Sequence, residues 1–223
     1  MPNSLKRKFA NLVLAVKHGQ VGKALLWRLS RIGVSVEIYY VFREKLDHVR
    51  IEDFTSNFSS YSMQRLGPDD MAMVADLEYS FARPALEKKL SAGHLCFGLM
   101  HENNLAAVLW CDLEECHHRP YRFKLAKNEG YIYAACTTER YRGKGLAPYL
   151  RYLVYCDLIG DGIDTFYSAT DYYNKPALKL RHKLNFDLLK LCLHTQFRRK
   201  RQFNWVIRNY CPDFTPNLIR SDT

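Results

Sequence analysis

The feature that most restricts the fold of this chain is one uninterrupted stretch near its middle. A strand-like run, Tyr131 to Thr137, leads into Arg140-Tyr141-Arg142-Gly143-Lys144-Gly145. A helical repeat of Leu146, Tyr149, Leu150, Leu153 and Val154 begins at once, and a further strand candidate follows at Thr165 to Thr170. A glycine-rich turn between a strand and a helix start suits an anion. The first amides of a helix have no intrahelical partner, the helix dipole adds partial positive charge there, and glycine lets the backbone come close to a phosphate. Arg142 and Lys144 add charge of the right sign. The loop is not a P-loop, because Gly143-Lys144 lacks the earlier glycine at the required spacing and no Ser or Thr follows.

The flanking sequence reads as an α/β unit. A short strand is expected around Ser62 to Leu66. A helix then runs from Pro68-Asp69-Asp70 towards Phe81, and another covers Pro84 to Leu90. Leu95 to Met100 and Leu105 to Asp112 are separated by Glu102-Asn103-Asn104, which predicts a hairpin. Asn174 can cap a helix that carries Pro176 in its first turn and Ala177, Leu180 and Leu184 on one face. Leu188 to Phe197 and Phe203 to Ile207 form a closing hairpin. Arg198-Arg199-Lys200-Arg201 falls at its tip and reads as a solvated turn. Before all of this, Leu5, Phe9, Leu12, Val13 and Val16 share one helical face, Val21 to Ile32 repeats the pattern more loosely, and Val34 to Phe42 alternates like a strand. The expected division is an N-terminal extension over 1–60, an α/β domain over 61–212 and a tail over 213–223.

Charge and cysteine content set outer bounds. The formal net charge is +10, and Lys6, Arg7, Lys8, Lys17, Lys23, Arg28 and Arg31 all precede the first acidic residue, Glu37. Anionic partners are therefore expected. Seven cysteines without a repeating spacing argue against a disulfide framework, and no apolar run approaches the roughly 20 residues of a membrane span. A cytoplasmic protein, free or peripheral at a membrane, fits both observations. Cys116-His117-His118 beside Glu114 and Glu115 has metal-ligand chemistry, but adjacent residues do not converge easily on one ion and no second cluster matches. A loop without metal is expected there.

The six residues Arg140 to Gly145, together with Asn174, Ala177 and the pair Asn185-Phe186, resemble two motifs of the GNAT class of CoA-dependent N-acyltransferases over roughly residues 61–210. Asn185 departs from the glycine usual at that helix end, a position that asparagine also tolerates. The resemblance implies an α/β (α+β) fold with a central mixed, mostly antiparallel sheet of six to seven strands, splayed in a V between the fourth and fifth and flanked by helices. It implies acetyl-CoA as acyl donor, with the pantetheine arm along Ala135, Cys136, Thr137 and Thr138. The pyrophosphate would lie on amides of Arg140, Tyr141, Arg142, Gly143, Lys144, Gly145, Leu146 and Ala147, and Asn174 would stand opposite. Arg181 occupies the place where many members carry the tyrosine that protonates the leaving thiolate, and an arginine does not release a proton at ordinary pH. Tyr172, Tyr173 and His182, nearby in sequence, are therefore candidates for that acid, while Glu129, Tyr131 and Tyr133, before or on the fourth strand, and Glu139 at the loop are candidates for the base.

The expected function is transfer of an acetyl group to a primary amine of a small molecule by direct attack. Two alternatives stay open: a longer acyl chain taken from CoA or an acyl carrier protein to make N-acyl amino acids, and a non-catalytic acyl-CoA sensor. The basic N-terminal arm is expected to pack on the domain, to meet an anionic membrane or an acyl carrier protein, or to act as an organelle-targeting segment. A homodimer is compatible with all of these, and nucleic acid is the least favoured partner.

Overall fold

The computed structural model describes residues 33–45, 58–77, 82–119, 121–197 and 201–219. The two amphipathic helices expected before residue 33 and the basic tip Arg198 to Lys200 lie outside these residues.

Ten strands and four α-helices are present among the described residues. In chain order they are β1 (Val34–Glu44), β2 (Ser62–Arg65), α1 (Met71–Leu77), α2 (Arg83–Ser91), β3 (Leu95–His101), β4 (Asn104–Asp112), β5 (Glu115–His118), β6 (Tyr121–Lys124), β7 (Glu129–Thr137), α3 (Leu146–Gly160), β8 (Thr165–Asp171), α4 (Lys175–Lys183), β9 (Asp187–Phe197) and β10 (Arg201–Asn209). Eight strands form one sheet in the order β10-β9-β1-β8-β7-β4-β3-β2, and β5 and β6 form a separate ribbon. Every pairing in the large sheet is antiparallel except β7 with β8, so the sheet is mixed and mostly antiparallel as expected.

Two expectations need correction. The sheet has eight strands rather than six or seven, and the additional one is β1. It belongs to no extension: it lies between β9 and β8, pairing along both edges. The reason is physical, since the second half of the strand is buried on both faces, Tyr39 and Val41 on one and Phe42 and Glu44 on the other, so its backbone groups need partners along both edges, which the middle of a sheet supplies. A boundary at residue 60 would therefore cut through the sheet. Second, Cys116-His117-His118 is a strand, not a loop. Cys116 is buried, and the His118 ring packs 4.6 Å from that of Tyr39. Among the described residues no His, Cys, Asp or Glu group could hold a metal ion, and all seven cysteines are free.

Local sequence explains the other elements. The β3–β4 hairpin turns through Glu102 and Asn103, at φ 48° and 63°, the left-handed pair that a tight turn requires. Helix α4 starts at Asn174, whose side-chain oxygen accepts the Ala177 amide at 3.2 Å, and ends at Asn185 with φ 49°. The expected single helix from Pro68 is a 3-10 turn, Pro68–Asp70, followed by α1. Helices α1 and α2 cover one face of the sheet, with Met71, Val74 and Leu86 packed against Cys96, Val108 and Trp110. Leu146, Leu150, Val154 and Leu158 of α3 pack on the other against Phe97, Leu109 and Phe166. The tail residue Phe214 packs on Phe123 and Tyr167. No helix among the described residues is long and apolar enough to cross a membrane.

Candidate active site

Strands β7 and β8 run side by side for only three residue pairs, Glu129 with Thr165, Gly130 with Phe166 and Tyr131 with Tyr167. Beyond Tyr131 the β7 ladder continues only on the far side, with β4, and there it is broken. Trp110 faces Tyr133 and Val108 faces Cys136, so Ala134 and Ala135 together oppose Leu109. This is a β-bulge, and Ala134 has φ 46°, unusual for a residue with a Cβ. The bulge bends β7, and β8 stays tied to β1 up to Asp171. The two strands part, and their facing edges border a cleft of about 840 Å³. That volume lies in the range of small-molecule and cofactor sites.

The glycine loop forms the mouth of this cleft. Thr138 is fixed to β4 by its amide on Ala106 O and its hydroxyl on Leu105 O, both at 2.9 Å. A 3-10 turn, Glu139–Tyr141, follows, with Tyr141 buried. Gly143 and Gly145 both have φ 78°. A Cβ on Gly143 would meet open space, and one on Gly145 would stand 3.5 Å from the Phe58 ring, so backbone conformation rather than crowding calls for glycine. Helix α3 makes its first hydrogen bond from the Tyr149 amide to Gly145 O, at 3.3 Å. The amides of Gly143 to Ala147 are therefore available to an anion. Arg140 and Lys144 sit over the Tyr141 ring, 4.6 and 5.2 Å from its centre.

Of the expected donor-binding residues, Ala135, Thr137, Tyr141, Arg142, Gly143, Gly145, Leu146, Ala147 and Asn174 line the cleft. Cys136, Thr138, Arg140 and Lys144 do not. The Asn174 side chain is occupied in capping α4. The candidates for proton transfer separate. Glu139 is exposed on its turn, Tyr173 lies outside the cleft lining, and His182 faces a different cavity beside Tyr40, Phe42 and Phe186. Only Arg181 lines the cleft. Of the neighbours, Glu129 is committed to the Ala126 amide and the Tyr167 hydroxyl, and Tyr131 is buried. Tyr133 lines the cleft from the side of α1 and α2, its hydroxyl 2.8 Å from Nδ1 of His94, which lies 3.5 Å from Asp112.

A cluster of charged groups from four separate elements lies at the inner end. Glu44, at the end of β1, is fully buried and accepts hydrogen bonds from Arg151 of α3, Tyr155 of α3 and Ser168 of β8. Burial alone would push its carboxyl up, but Arg151, Arg181 and the two hydroxyls hold it below the usual carboxylate range. Arg181 of α4 is 6% exposed, with Nε 3.9 Å from Glu44 and its guanidinium between the Phe42 and Phe186 rings. Burial and the nearby Arg151 push its pKa down to about 10, still protonated near neutrality. None of Glu44, Arg151, Ser168, Thr170, His94 or Asp112 was a sequence candidate. Glu44 in particular carries no local signal, because its importance arises only when β1 enters the sheet next to β8.

No family model matches the chain, and no curated protein does. Solved structures do. A GCN5-related N-acetyltransferase-like protein from Streptococcus suis superposes with a TM-score of 0.51 at 19% identity, covering 80% of this chain and 68% of its own. A tandem GNAT protein from the clavulanic acid biosynthesis pathway gives 0.52 at 14%, covering 73% of this chain and 54% of its own. A GNAT-family acetyltransferase from Colwellia psychrerythraea gives 0.51 at 14%, over 73% and 57%. This chain thus spans between about half and two thirds of the length of those it matches. At these identities the likeness is one of fold, and it agrees with the splayed β7–β8 pair, the bulge and the loop before α3: the chain has the GNAT fold.

Proposed function

We propose that the protein is an N-acyltransferase that passes an acetyl group from acetyl-CoA to a primary amine of a small molecule. The observation that carries this reading is the cleft between β7 and β8, opened by the bulge at Ala134 and bordered at its mouth by the free amides of Gly143 to Ala147. The diphosphate of the donor would rest on those amides, with Arg142 beside it. The pantetheine would follow the unpaired inner edge of β7 from Thr137 to Ala135, where main-chain groups offer a strand-like partner.

The chemistry needs a neutral amine to attack the thioester carbon and a place for the proton it sheds. Tyr133 and His94 supply a route. As the nitrogen bonds to the carbonyl carbon, its proton passes to the Tyr133 oxygen while the phenolic proton moves to His94 Nδ1, with Asp112 near the imidazolium. The carbon–sulfur bond breaks and the thiolate departs in the positive potential of the cleft, taking a proton from solvent. Arg181, protonated near neutrality, is not its acid.

Replacing Gly145 by valine tests the donor site. A β-branched residue does not adopt φ 78° without strain, so the loop must change shape and the amides lose their common aim. Calorimetric titration with CoA is expected to show at least a hundredfold loss of affinity with the far-UV spectrum unchanged. Retained affinity would place the diphosphate elsewhere. Thiol release with acetyl-CoA and an amine panel then separates an enzyme from a sensor.

A further inference from the structure

The inner end of the cleft holds more positive charge than the described residues neutralise. Glu44 is the one buried carboxylate in contact with both Arg151 and Arg181 among the described residues, and its oxygens already take three hydrogen bonds. Arg181 stands 3.9 Å away, beyond hydrogen-bond distance, and its Nε has no hydrogen-bond partner among the described residues. Nε of Arg151 and Oγ1 of Thr170 are also buried without one. All three residues line the same cleft. Unpartnered buried polar atoms are rare because each costs the full desolvation of the group, and a buried charge costs more. Three of them around one cavity point to a ligand group that completes them. The other charged residues lining the cleft are Arg142, Lys179, Lys183 and Asp171, and Asp171 is turned to the Tyr173 amide.

We propose that Arg181, Arg151 and Thr170 form an anion subsite at the inner end of the cleft, and that the ligand carries a carboxylate which docks there. A carboxylate fits better than a phosphate, since one additional negative charge balances two arginines against Glu44 and the planar guanidinium matches its two oxygens. The inference rests on the donor placement above and narrows the substrate. The carboxylate belongs either to the acyl chain, as in a dicarboxylic acyl-CoA, or to the amine, as in an amino acid.

Binding and turnover by the full chain distinguish the two sources. Succinyl-CoA is titrated against acetyl-CoA, and thiol release from acetyl-CoA is followed with alanine against ethylamine and phenylalanine against phenethylamine. The expected result is at least a tenfold preference for the carboxylated member in one of the two arms, which names the source. Arg181→Met should reduce that preference to less than twofold and leave CoA affinity unchanged, and Arg181→Lys should retain part of it. Thr170→Val, which keeps shape and removes the hydroxyl, should weaken it about three- to tenfold. Glu44 keeps its other donors in Arg181→Met, so this variant should fold with a melting temperature equal to or above that of the parent. Equal handling of both members in both arms, with CoA bound normally, would overturn the anion subsite alone. Loss of CoA binding in the parent protein would overturn the donor placement beneath it.

Discussion

The two ends of the cleft are built by opposite means. The mouth is a contiguous segment, Arg140 to Ala147, anchored by the buried Tyr141 and Leu146, exposed from Arg142 to Gly145, and made largely of backbone amides and two glycines in the left-handed region. The inner end is a set of buried side chains drawn from β1, α3, β8 and α4, with charges of both signs out of water. A site made of backbone at a helix start costs little to hold in place, because those amides are unsatisfied in any helix. Two arginines and a glutamate buried together are different. The glutamate holds both arginines, so its removal leaves two buried charges uncompensated, whereas loss of Arg181 leaves Glu44 its bonds from Arg151, Tyr155 and Ser168. Changes at the mouth should therefore alter ligand affinity with little effect on folding, whereas loss of the Glu44 carboxylate at the inner end should reach the fold itself.

The largest expected effect is at the inner end. Glu44→Gln removes the only negative charge that faces Arg151 and Arg181 among the described residues and should cost about 3 to 5 kcal/mol, read from the urea midpoint. The same carboxylate carries a pH signature. Its pKa in the folded state is below the unfolded value of 4.5, so the stability it contributes is present above pH 4.5 and is lost as pH falls through the lower, folded value. Acid unfolding of the parent should steepen below pH 4.5, and the glutamine variant should lack that component. A variant as stable as the parent would mean that the two arginines are not buried against Glu44.

At the mouth the matching change is Arg142→Ala combined with Lys144→Ala. Both side chains are exposed, and the Arg142 Nε donates only to Thr137 O at 3.2 Å. Stability should change by no more than about 0.5 kcal/mol. CoA affinity should fall about three- to tenfold at low salt, with the difference shrinking as ionic strength rises, since exposed charges a Debye length apart are screened. If this pair destabilised the fold as Glu44→Gln does, the contrast between the two ends would fail.

The same contrast explains what could be read from the sequence. Hydrophobic periodicity and turn residues give most of the strands and the helices of the domain, since Leu146, Leu150 and Val154 or Glu102-Asn103 act through neighbours a few positions away. The glycine loop was legible for the same reason. Strand β1 is recognisable as a strand, but nothing within Val34 to Glu44 says that it inserts between β8 and β9, because pairing partners 122 to 163 residues distant are set by the whole sheet. Glu44 inherits that difficulty, as does Arg151, which reads on α3 as an ordinary polar position. Arg181 was singled out only because it stands where a tyrosine is usual, and its burial beside Glu44 is a property of the assembled fold.

The smallest expected effect concerns the bulge between the two ends. Ala134 sits at φ 46°, where a Cβ costs about 1 kcal/mol or somewhat more, and glycine would not meet that cost. Glycine also loosens the unfolded chain, which returns part of the gain. Ala134→Gly should therefore raise stability by about 0.5 kcal/mol, a shift of one or two degrees in melting temperature. CoA affinity should stay within twofold, because the two-against-one register of Ala134 and Ala135 opposite Leu109 is fixed by β4 and does not depend on the methyl group. A drop in melting temperature would show that Ala134 does not rest in the left-handed region, and the parting of β7 from β8 would then need another cause. A gain in stability accompanied by weaker CoA binding would show instead that the strained alanine holds the edge of β7 in place for the donor, making the middle of the cleft behave like its buried end rather than its mouth.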